Sequence, residues 1–82
     1  MKLIAVYDDI TKKYIEKQVA QLIELGYSIE MLYHTEATDK YGIKYFPSFS
    51  IAKNNKVGYT LGGKQNFTQV LRWVQDSGLE CK

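Results

Sequence analysis

Pro47 is the only proline in these 82 residues, and it limits what the middle of the chain can be. The residue before a proline is pushed out of the helical region, and a proline has no N–H to give to a central ladder. Phe46-Pro47 therefore reads as a turn that opens a strand. An X-Pro bond is also the one peptide bond at which cis geometry is cheap. Upstream, a short helix over about 36–41 ends at Gly42. Downstream, the spacing predicts a strand over 48–52 and a turn at Lys53-Asn54-Asn55-Lys56, because asparagine tolerates left-handed backbone. A returning strand over 57–61 is then broken by Gly62-Gly63.

The first half of the chain shows one change of period. Leu3-Ile4-Ala5-Val6-Tyr7 is apolar without alternation, the pattern of a strand covered on both faces. After Asp8-Asp9 the pattern turns helical over about 12–25, with Asp9 or Thr11 as its cap. Ile15, Val19, Leu22 and Ile23 make one apolar stripe, and Gly26 takes the C-terminal position that favours positive φ. Tyr27 to Tyr33 alternates, with Tyr27, Ile29, Met31 and Tyr33 on one face and Ser28 and Glu30 on the other. A strand, a helix and a strand of these lengths predict a parallel pair joined by a crossover. A last helix over about 67–76 has Asn66 as its cap and buries Phe67, Val70, Leu71 and Val74, with Gly78 ending it.

This is one small α/β domain spanning 1–82: βαβ, a short helix, a hairpin and a helix, with a four-stranded mixed sheet flanked by helices. No run approaches the roughly 20 apolar residues of a membrane span, and no secretory signal is visible, so a cytoplasmic location is expected. Cys81 is the only cysteine and cannot make an internal disulfide. Net charge is +2, too little to argue for nucleic acid. It is unevenly spread: residues 37–75 hold six cations against Asp39 alone (net +5), and residues 1–36 hold four against six acids (net −2).

The element order resembles the minimal thioredoxin fold, and several steps resemble glutaredoxins in particular. Val6-Tyr7 and Leu25-Gly26 match the two ends of the first strand–helix unit without a gap. Tyr41-Gly42-Ile43, Phe46-Pro47 and Leu61-Gly62-Gly63 match the middle and the step before the last helix. The resemblance covers nearly the whole chain and implies a cis bond at Pro47.

Its departure is at the chemistry. The slots of the redox pair hold Lys12-Lys13-Tyr14-Ile15, where only the tyrosine is kept. Thiol–disulfide exchange needs a thiolate and usually a second, resolving thiol. Lysine and isoleucine supply neither, and Cys81 follows the last helix, so it is expected to be inert. The resemblance also implies a glutathione cradle, but Asp9 stands near its lysine slot and Lys64-Gln65-Asn66 stand in its acidic slots.

The expected function is therefore that of a redox-inactive, non-catalytic module that binds a protein or extended peptide. The surface implied is the former active-site face: Lys12, Lys13, Tyr14, Lys44, Phe46, Pro47, Gly62 and Gly63. No cofactor or metal is expected, although Lys12, Lys13, Lys44 and a helix start leave glutathione or another small anion as an open ligand. The first alternative is an oxidoreductase of the thioredoxin family or a glutathione-binding protein, separated by a disulfide-reduction assay with a Cys81→Ser control. The second is a nucleic-acid binder using the basic half and its tyrosines, separated by the salt dependence of binding. Plainer readings stand beside these: solvated lysines, Tyr41, Tyr45 and Phe46 as core, and a lone His34 without ligand spacing.

Overall fold

Seven elements follow one another: β1 (Lys2–Tyr7), α1 (Lys12–Glu24), β2 (Ile29–Tyr33), α2 (His34–Tyr41), β3 (Ser48–Lys53), β4 (Lys56–Gly62) and α3 (Phe67–Asp76). The computed structural model describes residues 1–79, so Cys81 lies outside the described residues. The strands form one mixed sheet in the order β2-β1-β3-β4. β1 runs parallel to β2, and β3 runs antiparallel to both β1 and β4.

The lack of alternation in β1 is explained by its place. Leu3, Ile4, Ala5 and Val6 are all fully buried, but on two different faces. Leu3 and Ala5 join the larger core with Ile15, Val19, Leu22, Phe49, Ile51, Val70 and Val74, so α1 and α3 share one face of the sheet. Ile4 and Val6 join Leu32, Ala37, Ile43 and Ala52 in a smaller core on the face that carries α2.

Backbone devices set the element ends. Gly26 has φ 101°, its N–H bonds to Ile23 O and the Tyr27 N–H bonds to Leu22 O, which closes the end of α1. That spends the Tyr27 N–H, so β2 begins at Ile29, while the Tyr27 side chain still packs in the larger core. Gly42 ends α2 with φ 71°. Asn54 and Asn55 both have positive φ, as a two-residue hairpin turn of this hand requires. Asn66 caps α3 in a reciprocal box: its side chain accepts from the Gln69 N–H, and the Gln69 side chain accepts from the Asn66 N–H. The Phe46-Pro47 bond is cis.

Three expectations need correction. Ile23 is 54 % exposed, and Gln18 takes its place in the buried stripe of α1. At 100° per residue, the stripe of Ile15, Gln18, Val19 and Leu22 is centred well away from position 23. Second, α2 begins at His34, two residues before the predicted start, directly after β2. Third, Thr11 sits at the N-cap of α1 without capping it through its side chain. Its hydroxyl instead donates to Asp8 Oδ1 and accepts from the Asp8 N–H, closing a turn of its own.

Glu30 holds β2 to α2 and β1. Its carboxylate accepts from Lys40 Nζ at 2.9 Å, Tyr41 Oη at 3.0 Å and Lys2 Nζ at 3.5 Å. The Lys40 bond, with Tyr41 and Lys2 adding to it against a smaller cost of burial, holds the Glu30 carboxyl below its ordinary range. A carboxyl lowered on folding contributes stability at neutral pH that is lost as the pH falls through the folded-state value. Glu30→Gln is therefore expected to reduce stability at neutral pH and to flatten its loss on acidification, read from urea midpoints across the acid range. A variant whose pH profile parallels the wild type would contradict this.

Candidate functional site

The turn between β4 and α3 ties together four of the sequence-predicted positions. The Gly63 N–H bonds to Pro47 O at 2.9 Å. The Gln65 side chain bonds back to Gly62 O at 3.1 Å. From the other side, the Tyr14 hydroxyl donates to Gln65 O, and Gln18 Nε2 donates to the same oxygen at 2.6 Å. Lys64 Nζ lies 4.8 Å from the centre of the Tyr14 ring, a cation–π contact. Tyr14, Pro47, Gly62 and Gly63 thus belong to one connected surface. Tyr14→Phe is expected to destabilise the domain by about 1 kcal/mol, the net worth of one hydrogen bond, lowering Tm by roughly 4–8 °C. An unchanged thermal midpoint would show that the Gln18 bond alone holds the turn.

A second chain of contacts reaches Phe46. Tyr7 and Tyr33 are register partners at the ends of β1 and β2, and their rings meet edge-on at 5.7 Å. His34 lies against Tyr33 at 4.5 Å and against Phe46 at 4.4 Å. The Tyr33 hydroxyl donates to Asp9 Oδ2 at 3.1 Å, and this bond to a carboxylate pushes the phenol up from its ordinary range. The β1–α1 connection is thereby linked, through Asp9, Tyr33 and His34, to the residue before Pro47. Sequence reasoning missed this row; its signal was the pairing of Tyr7 with Tyr33 that a parallel β1–β2 register forces.

The remaining predicted residues are less concentrated. Lys12 and Lys13 are exposed in the first turn of α1, where Lys12 approaches Glu16 at 4.0 Å. No side chain caps that turn, and no acid lies in it. Phe46 is 46 % exposed despite its contact with His34. Of the other two aromatics of the predicted patch, Tyr45 is exposed, whereas Tyr41 is half-buried with its hydroxyl on Glu30. Lys44 lines a separate groove with Tyr41, Tyr45, Asn55, Lys56 and Thr60. Tyr45 and Thr60 also line a hollow at Gly62, so the groove adjoins the Pro47 surface.

No three metal-ligating side chains cluster among the described residues, and no described helix is long and apolar enough to cross a membrane. No protein-family model matches the sequence, and no curated protein matches it.

Proposed function

We propose that the chain is a cytoplasmic, glutaredoxin-like domain of thioredoxin type that carries out no redox chemistry and binds an extended peptide or a protein segment. The docking surface is the one around Phe46 and Pro47, bounded by Tyr14, the Gly62-Gly63 turn and the lysines that open α1. One observation carries this reading. Phe46 is half exposed beside Pro47, and among the described residues its own N–H and C=O take no hydrogen-bond partner. Free backbone groups next to a sheet can pair with an extended chain, and a neighbouring aromatic gives the pairing selectivity. Position 12 holds an exposed lysine and position 15 a buried isoleucine, so neither offers a thiol to a bound substrate. Glutathione is disfavoured, because Asp9 and Lys64 carry the opposite charges to those of the cradle that the resemblance implies.

The test is a selection of extended peptides from a displayed library, followed by amide-shift mapping with the labelled full chain. Shifts should centre on residues 12–14, 46–47 and 62–63. Phe46→Ala should weaken the selected peptides roughly thirtyfold, the scale of a central aromatic anchor. Peptides that bind Phe46→Ala as tightly as the wild type would remove this surface from consideration.

A further inference from the structure

We propose that the part of the sheet α2 leaves uncovered is a binding groove for a small phosphate ester carrying a planar ring, of the size of a nucleoside monophosphate. This groove neighbours the Pro47 surface but does not rest on the reading given for it.

The groove exists because α2 is short. Its eight residues pack against β1 and β2, so on that face the β3–β4 half has no helix over it. What remains is a concavity of about 490 Å³ between the α2–β3 connection and β4. That volume lies within the usual range of small-molecule sites. A bulge helps to build it. Ile51 pairs with Tyr59 and Ala52 with Val57, so the ladder skips Gly58. Strict alternation would put Val57 and Thr60 on opposite faces, whereas the extra residue lets both line the groove.

Its chemistry is one-sided. Lys44 and Lys56 both line it, no carboxylate does, and neither lysine has an ion-pair partner among the described residues. Two unneutralised ammonium groups in one concavity favour an anion. Asn55 and Thr60 add polar groups, with the Thr60 hydroxyl already fixed against Ser50 at 3.1 Å. The two tyrosines differ. Tyr41 is a fixed wall, its hydroxyl held by Glu30 and its ring covered by Lys40 at 5.4 Å. Tyr45 is 67 % exposed and offers a free ring. An anion alone would leave that ring unused, whereas a planar group beside the phosphate would stack on it. Two lysines match one phosphate; retention of a nucleic-acid strand rests on many phosphate contacts, and the chain has a net charge of only +2.

The experiment is a titration of the labelled full chain with adenosine 5′-monophosphate, followed by amide shifts. Shifts are expected over residues 41–45 and 55–60. The double variant Lys44→Glu, Lys56→Glu should weaken binding roughly thirtyfold, as the loss of charge-assisted bonds implies. Tyr45→Ala should weaken it about tenfold, within the range of ring–base stacking. Arg72→Glu, an exposed residue on α3 across the sheet, should change nothing. These side chains are exposed, so unaltered spectra outside the groove will report intact folding. Adenosine or inorganic phosphate binding as tightly as the nucleotide would overturn the proposal. So would indifference to the double charge reversal, or a thymidine oligonucleotide that binds far more tightly than the mononucleotide.

Discussion

Replacing Lys12 and Ile15 by cysteine, with Cys81→Ser to remove the natural thiol, is expected to make the domain a disulfide reductase. Position 12 is the first residue of α1, where the backbone N–H groups have no side-chain cap and no acid lies in the first turn. A thiolate there gains from the helix dipole and from the neighbouring Lys13, so its pKa should fall below the free-cysteine value of about 8.5. Position 15 is 1 % exposed and lies one turn further on, where a second thiol would be shielded from solvent while still able to resolve a mixed disulfide. With dithiothreitol as the reductant, reduction of insulin disulfides should rise from background to a measurable rate. The single Lys12→Cys variant should alkylate faster than a free thiol at neutral pH. A folded double variant with two titratable thiols and no turnover would mean that α1 does not present position 12 as the resemblance implies. In that case the start of α1 would drop out of the proposed docking surface, and the peptide-binding reading would stand on Phe46 and Pro47 alone. The isoleucine change also removes core volume, at a cost of the order of 1–3 kcal/mol, so folding must be checked first.

What the sequence disclosed and what it concealed divide along a physical line. Signals carried by the backbone were legible, since a residue that tolerates positive φ or caps a helix acts within a few positions of itself. Asn66, Gly26, Gly42 and the Asn54-Asn55 pair all mark the ends they were expected to mark. Long-range consequences were not. Thr11 is a good capping residue by type, but Asp8 captured its hydroxyl. The bulge at Gly58 decides which β4 side chains line the groove, and the lone glycine inside a strand run was its only local sign. Lys44 was expected on the Pro47 surface as one of three lysines able to hold an anion, yet it lines a separate cavity with Lys56. The Tyr33–His34–Phe46 row depends on where α2 begins, the one helix start misplaced by two residues.

The neighbouring pair Leu22 and Ile23 supplies the sharpest test of the packing. Both belong to the apolar stripe predicted for α1, and both are followed within four residues by the Gly26 turn. The two side chains are isomers of equal size, and their azimuths separate them: Leu22 is fully buried in the larger core, and Ile23 is more than half exposed. Leu22→Ala is expected to cost about 2–5 kcal/mol, the transfer of the lost methyl groups plus the cavity they leave. Domains of this size have about 4–12 kcal/mol of stability, so the change removes a large part of it and should lower Tm by tens of degrees. Ile23→Ala should stay within about 0.5 kcal/mol, since an exposed position gives up little buried area and alanine has the higher helix propensity. Chemical denaturation of the two variants reads both numbers directly. Equal losses would mean that α1 is rotated from the orientation described. Because Tyr14 and Gln18 lie on the same helix and meet Gln65 only at this orientation, a rotated α1 would also break the link between Tyr14 and the turn that holds Pro47.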